Sequence, residues 1–324
     1  MLPRSHANLR RCTGAADLAH HGEPIVTRRR TIGVALGSGS ARGWAHVGVL
    51  RALAEQGVAP DYLAGCSMGA MVGAAAAAGR IEQLERWALS LDWKRVVGLL
   101  DVGLRGGLIK GDRLLEFFHG QFVDCQFSEL PLPFAAVATD LASGQEVWLR
   151  EGKVSDAVRS SCTVPGLFRP VLREGRYLVD GSLVNPVPVS LCRAMGADIV
   201  IAVDLGSDMV GRFAREETGV PAAQNARRPV ISALLSRQRD VAMASQQRDT
   251  PPQPSMLAAL LGAIDIMQER IAQGRLAAEP PDVLLTPRLG QLGALEYHRA
   301  ALAIAEGREA VTRMQAAIRH AVGY

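Results

Sequence analysis

The alternation of apolar and polar positions changes texture at Thr31. Before it, residues 1 to about 30 show no periodicity and few large apolar side chains, and they end in Arg28-Arg29-Arg30, the pattern of a flexible basic leader. After it, Thr31 to Leu36 is a short apolar run that predicts a strand, followed by a Gly/Ser loop. Arg42 to Gln56 then carries helical spacing, and Gly57 suits a helix stop. The order repeats, with a strand at Tyr62 to Gly65, a tight turn, and an Ala-rich helix from Met68 to Ala78 closed by Gly79. Further strands are predicted at Phe134 to Ala138, Glu146 to Leu149, Arg176 to Val179, Ile199 to Val203 and Val283 to Thr286. Helices are predicted over residues 81–91, 111–119, 188–195, 256–274 and 296–318. Strands alternating with helices point to an α/β domain over residues 31–324 with a mostly parallel central sheet and no internal repeat.

One stretch breaks that rhythm. Residues 207–255 are rich in Arg, Gln, Ala and Pro, with Thr250-Pro-Pro-Gln-Pro254 near the end, and read as a mobile insertion. Inside it, Pro229 to Met243 carries Val230, Ile231, Leu234, Leu235 and Val241 flanked by Arg227, Arg228, Arg237 and Arg239. That mix suits either an interfacial helix or an ordinary solvated one.

Composition narrows the class. Hydrophobic residues make up 48% and charged residues 21%, as in a globular protein. The five cysteines are odd in number, widely spaced and free of any C-x-x-C pair, against both a disulfide framework and a zinc site, so a reducing, cytoplasmic setting fits. A net charge of +4 is too weak to imply nucleic acid but allows a mild attraction to anionic lipid. No stretch reaches the roughly 20 apolar residues of a membrane span, and the first 30 residues lack the apolar core of a signal peptide. The expectation is a soluble protein, at most peripheral to a membrane; the sequence carries no sign of oligomeric state.

The chemistry is concentrated at two loops. Gly65-Cys66-Ser67-Met68-Gly69 matches G-x-S-x-G and lies between a predicted strand and a predicted helix. That setting puts a serine on a sharp turn with its hydroxyl exposed above the sheet, while Gly65 and Gly69 let backbone and helix approach closely. The helix N-terminus favours developing negative charge. Ser67 is the candidate nucleophile; Cys66, one position off the apex, reads as a small packed side chain.

Gly37-Ser38-Gly39-Ser40-Ala41-Arg42-Gly43 follows the first strand and opens a helix, so successive backbone N–H groups can converge on a phosphate or on the oxyanion of an acyl intermediate. A dinucleotide fingerprint fails, because Arg42 occupies the sixth position of G-x-G-x-x-G and Asp61 precedes its strand. With Ser67 at the next strand end, an oxyanion hole fits better. Its expected donors are the N–H groups of Gly39 and Ser40, with Ala41 as a further candidate, and Arg42 would hold the loop or face a head group.

Asp180 closes a strand in Tyr177-Leu-Val-Asp-Gly-Ser-Leu-Val-Asn-Pro-Val-Pro188; alone it reads as readily as an ordinary Asp-Gly turn. The three motifs, in this order, resemble those of the patatin-like phospholipase family: a glycine-rich loop ending in Arg/Lys-Gly, then G-x-S-x-G, then Asp-Gly-Gly or Asp-Gly-Ala. Ser161 to Pro170 is similar to the segment that precedes the family's aspartate, so the resemblance spans roughly residues 31–205 and, more loosely, 256–318. It implies a three-layer α/β/α fold, hydrolysis of fatty acyl esters of phospholipids, lysophospholipids or related lipids, and a dyad of Ser67 and Asp180 without histidine. No metal or organic cofactor is called for. Two departures stand out. Ser38 and Ser40 replace glycines, awkward where φ is positive, and Ser182 replaces the small third residue after Asp180. A Ser67-Asp180-His298 triad shares the chain order of α/β-hydrolases, although His298 at a helix start also reads as a surface residue. A non-catalytic, lipid-responsive regulator is the rival of a different class.

Overall fold

The structure, a computed structural model, describes residues 29–100, 120–208 and 256–323. The leader up to residue 28, the predicted helix 111–119 with His119, and residues 209–255 with the Pro229 to Met243 segment lie outside the described residues.

Eight described strands form one sheet in the order β5-β6-β3-β2-β1-β7-β8, with β4 pairing off β3. They are β1 (Ile32–Leu36), β2 (Tyr62–Cys66), β3 (Phe134–Asp140), β4 (Glu146–Leu149), β5 (Val171–Arg173), β6 (Arg176–Asp180), β7 (Ile199–Val203) and β8 (Val283–Leu285). The run β3-β2-β1-β7-β8 is parallel, and β4, β5 and β6 add antiparallel pairings. β1 and β7 are apolar throughout and buried on both faces, as central parallel strands are.

Period-two alternation divides those strands between two cores. Val34, Leu36, Leu63, Ile199, Ile201 and Val203 pack on one side, with α1 (Ala45–Glu55), α2 (Met68–Ala77) and residues of the C-terminal helices. Ala35, Ala64, Val137, Val200 and Ala202 face the other side, against Val189, Leu191 and Cys192 of a short helix and Ala272 of a long one. Helix, sheet and helix give the three-layer α/β/α arrangement. The remaining helices are α3 (Ile81–Leu89), α4 (Trp93–Leu100), α5 (Val154–Ser161), α6 (Val189–Met195), α7 (Met256–Ala278), α8 (Ala300–Arg313) and α9 (Gln315–Val322).

Some elements differ from the periodicity. The expected helix 42–56 is divided into a 3-10 turn, Ser40–Trp44, and α1; residues 296–318 are likewise divided into the 3-10 turn Tyr297–Arg299, α8 and the start of α9. β5, α4 and α5 are additions, each three to eight residues long and too short for a periodic signal to emerge. Among the described residues no helix is long and apolar enough to cross a membrane.

α1 crosses α8 at two glycines. A Cβ on Gly48 would meet the carbonyl of Ile304, and one on Gly307 would meet the carbonyl of Ala45. This close crossing seats the 3-10 turn that precedes α1, and with it the Gly/Ser loop. Gly307→Ala is therefore expected to force the helices apart and cost roughly 1–3 kcal/mol or more, read as a fall in Tm; an unchanged Tm would mean that the crossing is not tight.

Candidate active site

Ser67 sits where β2 ends and α2 begins, at φ 54° and ψ −121°, a left-handed conformation that a non-glycine residue adopts only under constraint. The constraint is visible in its neighbours. A Cβ on Gly65 would press into the backbone of Ala70, and one on Gly69 would strike the carbonyls of Leu36 and Gly37. Both glycines of the motif thus let α2 sit directly against the ends of β1 and β2. The Ser67 N–H donates to Ser161 Oγ at 2.9 Å, tying the elbow to the end of α5.

The Ser67 hydroxyl donates to Asp180 Oδ2 at 2.7 Å. β3 sets that distance, because its residue Val137 pairs with Cys66 of β2 and the next, Ala138, pairs with Asp180 of β6. The Asp180 backbone is pinned further by its N–H to the Thr163 carbonyl at 2.8 Å and by Thr139 Oγ1 on its own carbonyl at 2.8 Å. Its other carboxylate oxygen, Oδ1, accepts the Ser182 N–H at 2.9 Å. Ser67 is 9% exposed and Asp180 1% exposed, so the hydroxyl is far more enclosed than the exposed turn expected from the motif. The surrounding turns crowd it: Ser161 takes the Ser67 N–H, and the Cys162 thiol lies close to its side chain.

Burial pushes the Asp180 pKa above the usual carboxylate value, with hydrogen bonds from the Ser182 side chain, the Ser67 hydroxyl and the Ser182 N–H pulling the other way. Burial likewise pushes the Cys66 and Cys162 thiols well up, and the Asp180 charge adds to both shifts. Neither cysteine carries thiolate character, which fits Cys66 as packing.

The Gly/Ser loop is held mainly through its own N–H groups. Gly37 donates to the Val203 carbonyl at 3.0 Å, Ser38 to Pro186 at 2.9 Å, Ala41 to Ala294 at 3.1 Å and Arg42 to Gly39 at 3.0 Å. Ala41 therefore has no free N–H to offer, while Gly39 and Ser40, the other expected donors, make no such bond among the described residues. Gly43 serves packing: a Cβ there would collide with Met68. Ser40 does take φ 49°, the strained alternative, whereas Ser38 does not. The Ser40 side chain lies beside the buried phenol of Tyr297, whose pKa burial raises and the Cys162 thiol raises further.

Arg42 is 2% exposed and holds the loop rather than facing outward. Its Nε donates to the Gly39 carbonyl at 3.1 Å and its Nη2 to Asp265 of α7 at 2.6 Å. His46 lies buried below the loop, its Nε2 at 2.7 Å from the Gly37 carbonyl, and burial lowers its pKa to about 4. It is a neutral donor to that carbonyl, not a base for Ser67. His298 stands on the Tyr297–Arg299 turn beside Glu296.

Tyr297 and Gln268 also belong to this site and carry no motif. Gln268 of α7 accepts from Ser38 Oγ at 3.2 Å and donates from Nε2 to Ser182 Oγ at 2.8 Å. Both residues lie about 200 positions or more beyond Ser67, too far along the chain for local spacing to link them to it.

A family model described as Patatin-like phospholipase matches residues 34–193. An uncharacterized NTE family protein of Mycobacterium tuberculosis is 34% identical over 325 residues, covering 87% of this chain and 90% of that protein. Over a shorter segment the chain is 36% identical to patatin-like phospholipase domain-containing protein 6 of Homo sapiens, across 190 residues that cover 56% of this chain and 14% of that protein. It is 32% identical to lysophospholipase nte1 of Aspergillus fumigatus over 193 residues, 55% of this chain and 12% of that protein.

The raised pKa of Asp180 has a consequence for stability. A carboxyl that holds its proton more tightly folded than unfolded opposes the fold once ionised; the cost is complete above the folded pKa and absent below the ordinary carboxylate value. Asp180→Asn removes that cost and keeps acceptor and donor atoms for Ser182 and Ser67. Its Tm should exceed wild type by about 2–4 °C near neutral pH, with the gap closing towards about pH 4. A lower Tm for Asp180→Asn at neutral pH would contradict the assignment.

Proposed function

Because the chain belongs to the patatin-like phospholipase family, we propose that it hydrolyses fatty acyl esters through a dyad in which Ser67 is the nucleophile and Asp180 the base. The observation that carries this reading is the 2.7 Å hydrogen bond from Ser67 Oγ to Asp180 Oδ2. The carboxylate's other oxygen is taken by Ser182, which leaves no place for an imidazole between acid and serine.

In the first half-reaction Ser67 Oγ attacks the ester carbonyl while its proton passes to Asp180. Negative charge gathers on the former carbonyl oxygen, where the N–H groups of Gly39 and Ser40 and the N-terminus of α2 meet it. Collapse expels the alkoxide, which takes the proton from Asp180. Water then repeats the sequence on the acyl-enzyme, with Asp180 as its base, and frees the fatty acid. The raised pKa suits both roles, since a base closer to the working pH accepts and returns a proton with less penalty. Lysophospholipids are the first substrate class to try, since one relative bears that name.

The test is hydrolysis of p-nitrophenyl esters and lysophospholipids by wild type and variants. Ser67→Ala and Asp180→Asn should each lose at least about 1000-fold in kcat and the double variant scarcely more, because residues acting as one unit are strongly non-additive. A fluorophosphonate should label Ser67. His298→Ala should stay within about tenfold of wild type; a variant as dead as Asp180→Asn would transfer the proton to imidazole. Absence of turnover by wild type across the whole acyl panel would leave the regulatory reading.

A further inference from the structure

α7 lies outside the residues matched by the family model, yet it touches both halves of the site. Gln268 is the point of contact. Its Oε1 accepts the Ser38 hydroxyl at 3.2 Å, in the Gly/Ser loop, and its Nε2 donates to Ser182 Oγ at 2.8 Å, just past Asp180. Ser182 in turn donates its N–H to Asp180 Oδ1 at 2.9 Å, and its hydroxyl lies close enough to help hold the carboxyl's pKa down. The loop, Asp180 and α7 meet here. One helical turn before Gln268, Asp265 fixes the same loop through Arg42 at 2.6 Å.

Ser38 and Ser182 are two of the positions at which this chain carries a hydroxyl in place of the glycine or other small residue of the family pattern. Both hydroxyls are buried and both meet the same amide. A glycine at either position would leave one end of the Gln268 side chain without that partner. The bond order also has a direction. Because Ser182 Oγ accepts from Gln268 Nε2, its own hydrogen is free to point at Asp180.

We infer that Gln268 is a positioning residue that couples the oxyanion loop to the catalytic base through Ser38 and Ser182. This rests on the dyad reading above. Its physical effect follows from two facts. Donors aimed at a carboxylate favour the ionised form, and an oxyanion hole works only while its donors keep their direction relative to the nucleophile. The groups facing Asp180 from the other elements are the Cys66 thiol of β2, the Cys162 thiol after α5 and the Tyr297 phenol, all held neutral by burial. None of them replaces the Ser182 donor.

The experiment is kcat/KM against pH on p-nitrophenyl butyrate for the full chain as wild type, Gln268→Leu, Ser182→Ala and their double variant, with Ser67→Ala alongside. The acid limb should move to higher pH in Gln268→Leu and in Ser182→Ala, because each weakens a donor to the Asp180 carboxylate. Near neutral pH, kcat should fall about tenfold with KM within about twofold, and the double variant should be no worse than the weaker single one. Thermal melts show which variants are folded, and Ser182→Ala carries the test alone if Gln268→Leu does not fold. Acid limbs that stay in place, or losses that simply add, while Ser67→Ala is inactive, overturn the coupling. An active Ser67→Ala would instead overturn the dyad on which it rests.

Discussion

The hydrogen bond between Ser67 and Asp180 depends on one strand. β3 is the common neighbour of β2 and β6, and the two residues that meet at 2.7 Å are delivered by adjacent positions on it. A parallel partner brings the serine to the top of the sheet, and an antiparallel partner returns the aspartate to the same level. Neither side chain has a long reach, so the register leaves little slack: a one-residue slip of β6 would turn Asp180 to the opposite face. Thr139, on β3 itself, adds a bond to the Asp180 carbonyl, so the spacer also clamps what it spaces.

Around that contact the Gly/Ser loop is shaped by giving most of its donors away. Each N–H spent on Val203, Pro186, Ala294 or Gly39 fixes the backbone at one point, and Gly39 and Ser40 keep theirs between those points. Backbone donors anchored in this way keep their direction when charge develops beside them. His46 extends the logic below the loop. Its burial keeps it neutral, and a neutral imidazole can donate to the Gly37 carbonyl without bringing a charge beneath the site.

The parts of this architecture legible in the sequence are those whose physics is local. β1 and β7 are uninterrupted apolar runs because both faces are buried, and the elbow announces itself because Gly65 is required by contacts within five residues, although Gly69 answers to Leu36 and Gly37 on the preceding strand and loop. Asp180 was readable only by resemblance, since an Asp-Gly turn has many uses. Gln268 and Tyr297 left no trace, because a polar residue on one side of a long helix and a tyrosine at a turn look ordinary until the chain folds over. Even the serines of the loop spoke ambiguously. Whether position 40 is strained is a question of φ, and the folded chain answers it with 49°.

Those features together concentrate unfavourable conformations at a single place. Ser67 and Ser40 both hold positive φ without being glycine, and Asp180 carries its charge almost wholly out of water. Each such backbone conformation costs on the order of 1–3 kcal/mol, and the buried carboxylate adds a further penalty whenever it is ionised. A loop could not sustain this; it would relax. A sheet whose central strands are buried on both faces can, because any relaxation of Ser67 must move Gly65 and Gly69 against backbone that has nowhere to go. The same rigidity holds the Asp180 carboxyl at one fixed distance from Ser67. Its alignment comes from the strand it ends, from the Thr139 and Thr163 bonds to its backbone and from the Ser182 N–H on its carboxyl.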